Sequence, residues 1–401
     1  MNARVGSVVV VLAAAFAARA DSVDTSTITL GAMAERADLV VVADAAPEAA
    51  TKDGRIAWTF HVTETLREPK AAQDLRVFLA APQTGKSADV VVQPGASHVL
   101  FLRALGGGDF EPIAVPWGLR NATEAEVRPL VEYTRRYAAA LSRDGTVAKP
   151  ADLAALLVES LASRSSGVPL CAGLDLVRHE EIVAALTPAQ RQAVDAALAA
   201  PRKGDMDLAS IIDAAGVAGT SASDAALVAR LLDPATRSLR LNITAALRRH
   251  ARPELVPLLA ARLTDATPQQ RADVVNALGR LDLRETEPYL VKSLRDPDSD
   301  VRVEAGHSIG LLARAVRAPK DGVDPDAPRA NLGSVLGEVL AAVSAARTSH
   351  EKAAFSWAVA QIDTAESWTA LKKLRDEATD RRVRELAGNY VLHPRVDLIL
   401  E

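Results

Sequence analysis

The chain has 401 residues, far more than one small core needs, and at about 150 residues per domain it leaves room for two or three domains. With 49% hydrophobic and 24% charged residues and a net charge of -4, global disorder is excluded, as is a chain-wide basic field for nucleic acid. Aromatic residues are only 3%, so the cores must be built from small and aliphatic side chains, which suits close helix–helix packing.

The first twenty residues read as an export signal. Met1 to Arg4 carries one positive charge, Val8 to Ala18 is an uncharged run of eleven residues, and Ala18-Arg19-Ala20 has the small-x-small form of a signal-peptidase site. Cleavage after Ala20 is expected, with residues 1–20 removed and the mature chain periplasmic or secreted. An eleven-residue run is too short for a membrane anchor, which needs about 20. No later uncharged run of spanning length follows, so stable membrane insertion is not expected. The single cysteine, Cys171, excludes an intrachain disulfide and lies in the apolar stretch Val168 to Leu174, where a structural thiol is the expectation.

From about Thr25 to Ala140 the apolar residues come in short runs: Leu39 to Val42, Ile56 to Leu66, Leu75 to Ala80, Val90 to Val92, His98 to Leu102 and Phe110 to Val115. Within Trp58 to Glu64 they alternate, the period of a strand with one buried face. Gly54, Pro82 with Gly85, Pro94-Gly95 and Gly106-Gly107-Gly108 separate them as hairpin loops. Five or six short strands predict a small antiparallel barrel or sandwich over residues 21–145. Thr27 to Ala37 reads as a helix before the first strand, and Thr123 with Glu126 forms a capping box for a helix running to about Leu141. Through Ala37-Asp38-Leu39-Val40-Val41-Val42 and Pro94 to Leu102 the block resembles the OB-like or netrin-like β-barrels of secreted bacterial proteins.

After Lys149-Pro150 helical periodicity runs to the end and repeats. Arg240, Arg271 and Arg302 are 31 residues apart, as are Leu247, Leu278 and Ile309, and Leu232, Leu263 and Leu294. Two helices per 31-residue unit define a solenoid, in which each hairpin buries its apolar face only by stacking on its neighbours. The turns Leu232-Asp233-Pro234, Leu263-Thr264-Asp265 and Leu294-Arg295-Asp296-Pro297 place an Asp to cap the next helix or bind the Arg that follows. Leu294 to Ala305 is similar to short HEAT-like repeats of the phycobilisome-lyase type. The resemblance implies an α-solenoid over residues 150–401 that binds partners. It is strongest over residues 224–315, has a further copy at Leu374-Arg375-Asp376 with Val383 to Gly388, and has a degenerate first copy at Leu153 to Leu161 and Val168 to Leu176. Residues 317–331, with Pro319, Pro325 and Pro328, read as a loop inserted into the solenoid. The expected fold class is thus multidomain α+β, a small β-barrel followed by helical hairpins.

Several motifs invite chemistry and are outweighed. Gly306-His307-Ser308-Ile309-Gly310 spells a nucleophile elbow, which needs a strand before the Ser. Ser308 instead falls one period after Ala277 and two after Ala246, where helix contact requires a small side chain. Gly85-Lys86-Ser87 resembles the end of a P-loop, yet position 80 is Ala and no helix follows. His179-Glu180-Glu181 lacks a second His at a zinc spacing, since residue 183 is Val, so His179 reads as a surface or capping histidine. Asn121-Ala122-Thr123 and Asn242-Ile243-Thr244 fit the glycosylation pattern, relevant only in a eukaryotic secretory host. No catalytic residue, cofactor site or metal site is nominated.

One feature survives, and it is electrostatic. Residues 240–320 hold 14 Lys or Arg against 10 Asp or Glu. Arg248, Arg249, Arg280 and Arg314 fall near the ends of successive second helices, where they would form a basic ladder beside the inner face of the solenoid. Arg240, Arg271 and Arg302 read instead as structural braces. The expectation is an exported, non-catalytic scaffold that binds a protein, acidic in character, and no nucleic acid. The alternative is an enzyme or enzyme inhibitor acting through barrel loops such as Lys86-Ser87 or Gly106 to Asp109.

Overall fold

A computed structural model describes residues 29–392 apart from 53–54, 68–72, 80–91, 93–94, 96, 108, 113–118, 122–127, 143–144, 202–204 and 318–331. The export signal, the Gly85-Lys86-Ser87 loop, the Thr123 capping box and all but Arg317 of the inserted loop therefore lie outside the described residues. The chain forms two compact units, Met1–Leu186 and Thr187–Glu401. Repeat character changes near residue 150, whereas the packing divides at 187: the first helical hairpin after the barrel belongs to the barrel's unit.

In the first unit a helix α1 (Leu30–Arg36) precedes β1 (Leu39–Lys52), β2 (Arg55–Arg67), β3 (Asp74–Leu79), β4 (Ser97–Gly106), β5 (Asp109–Pro112) and β6 (Leu119–Asn121). β1 pairs with β2 along one edge and with β4 along the other, from Leu39↔Leu102 to Asp44↔Ser97. β2 pairs with β3, β3 with β5 and β5 with β4, closing a five-stranded ring to which β6 adds on β4. The β3–β5 pairing is parallel, through Arg76↔Asp109 and Val77↔Phe110. This is the strand order of an OB-like barrel. The expected all-antiparallel barrel is corrected at that one seam: antiparallel neighbours can be joined by tight turns, but a parallel closure joins strands distant in sequence.

The interior follows the period-2 reading. Leu39, Val41, Ala43 and Ala45 of β1 meet Phe60 of β2, Leu75 and Val77 of β3, and Leu100 and Leu102 of β4, with Trp58, Val62 and Phe110 packed against them. Val40 and Phe101 point the other way along their strands and are also fully buried. Helix α2 (Arg128–Ala139) packs on β2, and α1 packs on β4. Helices α3 (Pro150–Leu161), α4 (Val168–Arg178) and α5 (Glu180–Ala185) complete the unit, with α4 against both α1 and α2.

The second unit is a run of helical hairpins: α6 (Pro188–Ala199) with α7 (Asp205–Ala218), α8 (Ser221–Leu232) with α9 (Arg240–Arg249), α10 (Leu255–Ala260) with α11 (Pro268–Arg280), α12 (Glu287–Ser293) with α13 (Ser299–Arg317), α14 (Leu336–Ala345) with α15 (Ser349–Ile362), and α16 (Ala365–Glu377) with α17 (Arg381–Leu392). The second helices contact one another in series from α7 to α17. The 31-residue registers therefore mark real stacking. Leu247, Leu278 and Ile309 are each at most 1% exposed. The turn Asp233 caps the following helical turn by accepting from the Ala235 amide at 2.9 Å. In the α6/α7 hairpin the repeated positions fall on Pro201, Ala209 and Gly216, and the α14/α15 hairpin follows the inserted segment, so the sequence pattern passes over both.

Second helices approach closely where side chains are absent. A Cβ on Gly279 would lie 2.3 Å from the Ser308 Cβ, and one on Gly216 would lie 2.8 Å from the Ala246 Cα. Ser308 is therefore a packing residue inside α13, fully buried, with Oγ donating to the Val275 carbonyl at 3.0 Å. No strand precedes it, so the elbow geometry is absent from these residues.

Candidate functional site

Two sets of polar groups stand out, one in each unit. In the second, the periodic arginines reach across repeats. The Arg271 guanidinium donates to both carboxylate oxygens of Asp296, at 2.8 and 2.7 Å, and to the Ala266 carbonyl of its own turn at 3.0 Å. Arg302 donates to Glu351 at 2.8 Å and to the Asp296 and Pro297 carbonyls at 2.6 and 2.9 Å. Arg240 lies 3.3 Å from Asp273. Each arginine thus reaches an acid in the neighbouring hairpin, and Arg271 and Arg302 also tie down the carbonyls of their own turns. Burial works against the Asp296 and Glu351 carboxylates, but their hydrogen bonds outweigh it and hold both below the ordinary carboxylate range.

The four ladder arginines are not one contiguous set. Arg248, at the end of α9, donates to Asp282 at 2.8 Å, one repeat ahead. Arg249 turns the other way, 3.3 Å from Asp213 of α7. Burial pushes the Asp213 carboxyl up, and Arg249 opposes that rise. Arg280 ends α11 as an exposed side chain. Arg314 is exposed on α13 and sits one turn beyond the 31-residue position, which is Leu311. Arg248 and Arg249 thus reach into neighbouring repeats in opposite directions, and Arg280 and Arg314 are exposed.

The set in the first unit escaped the sequence reading. Thr29 caps α1, its Oγ1 accepting from the Ala32 amide at 2.9 Å and donating to Asp175 of α4 at 2.5 Å. The other Asp175 oxygen accepts from the Tyr133 hydroxyl of α2 at 2.6 Å, and Arg178 lies 3.1 Å from the first. Six residues further along α1, Glu35 accepts from Tyr137 of α2, from Arg178 at 2.8 Å and from His179 Nε2 at 2.9 Å. A Cβ on Gly31 would come 2.4 Å from Asp175 and 2.6 Å from the Tyr137 ring, so α1 is clasped where only glycine fits. Below it, the buried Arg67 of β2 donates to the Ala34, Glu35 and Ala37 carbonyls at the end of α1.

His179, expected as a surface or capping histidine, stands at the cap position between α4 and α5, but its side chain is 13% exposed and joined to this cluster. Burial pushes the Asp175 carboxyl up, with Arg178, Thr29 and Tyr133 offsetting only part of the rise. Glu35 goes the other way: burial opposes its ionisation, but the His179 and Tyr137 hydrogen bonds and the Arg178 charge hold it below the ordinary range. The legible signals were a lone Asp175 inside an apolar helix and Tyr133 with Tyr137 four apart on α2. Their meeting with Glu35 needed the barrel between them.

Among the described residues no cluster of His, Cys, Asp or Glu could hold a metal ion, and no helix is long and apolar enough to cross a membrane. A groove of about 410 Å³ lies over Val42 and Val131, rimmed by Glu64, Arg128, Glu132 and Arg135. Arg135 spans it with a two-pronged bond to Glu64 at 2.7 and 2.8 Å. Fold and contacts together define a helical-repeat protein with an OB-like barrel at its N-terminal end. The sequence profile described as HEAT repeats matches residues 224–310. No curated protein matches the chain significantly. Residues 224–310 are thus similar to HEAT repeats, which commonly act as protein–protein interaction scaffolds.

Proposed function

We propose that this protein is an exported, non-catalytic scaffold whose helical repeats take a protein partner, acidic in character, on the surface that carries Arg280 and Arg314, with Arg248 and Arg249 at its margin. The observation that carries this reading is the HEAT-repeat similarity over residues 224–310, in a segment whose half-buried arginines brace neighbouring hairpins and whose second helices end on the exposed Arg280 and Arg314. Fully exposed guanidinium groups contribute attraction that salt screens within about 8 Å at physiological ionic strength.

A photo-crosslinker at the exposed Ala245 of α9, the second helix that precedes the one bearing Arg280, tests the proposal in cells. A discrete partner is expected, lost in the Arg280→Glu, Arg314→Glu double variant and weakened by salt, with the melting temperature unchanged. Arg249 is left intact because its loss would remove the positive charge that offsets the burial of Asp213. Equal crosslinking by the double variant, or indifference to salt, refutes the basic contact surface. N-terminal sequencing of the mature protein tests export separately: Asp21 as first residue supports it, and a retained Met1 overturns it.

A further inference from the structure

His179 sits at the corner between α4 and α5, and both of its ring nitrogens face carboxylates. Nε2 is 2.9 Å from Glu35 of α1, and Nδ1 is 2.8 Å from Glu181 of α5. A neutral imidazole carries one N–H and satisfies one of these acids, leaving a lone pair against the other. The imidazolium satisfies both. We propose that His179 is a proton-operated latch: protonated, it fastens the α4–α5 corner to α1 at the start of the barrel, and deprotonated, it releases that corner.

The surroundings from each packed element bear on the charge. α1 contributes Glu35; α2 contributes the Tyr133 and Tyr137 hydroxyls, the latter 3.1 Å from Nε2; α4 contributes Asp175 and Arg178; α5 contributes Glu181 and the exposed Glu180. Arg178 lies 3.1 Å from Nε2 and opposes the proton. Arg67 of β2 donates to the Glu35 carbonyl. Glu159 of α3 is paired with Arg136 of α2 at 2.7 Å. With Glu35 and Asp175 ionised and Arg178 and His179 charged, the interior cluster is balanced, and loss of the His179 proton leaves a net negative charge beside α1.

The electrostatics agree with the geometry. Burial alone would lower the imidazole, but the hydrogen bond and charge of Glu35, with Glu181 adding, outweigh burial and Arg178, and hold it above its ordinary value. A folded-state pKa above the unfolded value of about 6.5 means the latch is fully closed below that pH and opens as pH rises through the folded-state pKa. On the acid side Glu35, held below the ordinary carboxylate range, keeps its charge further into acid than a free carboxylate does. The closed window lies between the two.

The test uses the full-length chain. The His179 ring is titrated by NMR, and amide-exchange protection factors for α1 and α5 are measured at pH 6 and pH 9. The expected result is a His179 midpoint above 6.5 and, across it, a loss of protection of about threefold or more confined to α1, α4 and α5. His179→Gln should abolish that pH dependence. Glu181→Gln, at a half-exposed side chain, should preserve the fold and lower the midpoint, so the latch stays testable even if the His179 variant fails to fold. A midpoint at or below 6.5, protection unchanged through the titration, pH dependence retained in His179→Gln, or a midpoint indifferent to Glu181→Gln would each overturn it.

Discussion

The two units solve the same problem of holding helices together by opposite means. In the first, the interior bonds join residues far apart in the chain: Thr29 to Asp175 spans 146 positions and Glu35 to His179 spans 144. In the second, partners come from the neighbouring hairpin: Arg271 to Asp296 spans 25 positions and Ser308 to Val275 spans 33. A stacked array gains stability from nearest-neighbour interfaces, so a fault in one interface is local. A buried network with one centre has no such redundancy, since removing one member leaves the others unsatisfied in a medium that punishes unpaired charge.

That contrast breaks most sharply at Asp175, which is fully buried and accepts from Thr29, Tyr133 and Arg178. Asp175→Ala should cost about 3–5 kcal/mol, because the Thr29 and Tyr133 hydroxyls lose their acceptor inside the protein and Arg178 loses one of its two carboxylates. Chemical denaturation followed by circular dichroism reads the effect, and an unchanged midpoint would show that the network contributes nothing to holding α1.

The repeat unit should answer next. Leu278 is fully buried between stacked hairpins, and Leu278→Ala should cost about 2–5 kcal/mol by loss of apolar burial plus the cavity left behind. If stability is distributed as argued, amide exchange should rise around α9, α11 and α13 and leave α15 to α17 protected. Loosening of the whole unit would mean that its interfaces are coupled rather than local.

Ser308→Ala should have the smallest effect, about 0.5–1.5 kcal/mol, since it removes one hydrogen bond to a carbonyl and keeps the Cβ volume that Ala246 and Ala277 already supply. No labelling of Ser308 by a fluorophosphonate is expected. Covalent labelling there would restore a catalytic role to the Gly306 to Gly310 motif.

The repeat registers could be seen in the sequence because a solenoid writes its packing locally: each buried position recurs whenever the same interface recurs, so Leu247, Leu278 and Ile309 announce one another. The alternation through Trp58, Phe60 and Val62 did the same for the barrel wall. Hairpins α6/α7 and α14/α15 were silent because the repeated Leu, Arg and Leu positions fall on Pro201, Ala209 and Gly216 in the first, and the second follows the inserted segment 317–331, which breaks the period. The parallel β3–β5 seam and the cluster around Asp175 and Glu35 were settled only by tertiary structure. Neither has a period. Strand closure and buried charge pairing depend on which distant segments the folded barrel brings within hydrogen-bonding reach, and a carboxylate such as Asp175 reads as an ordinary polar residue until its partners from α1 and α2 surround it.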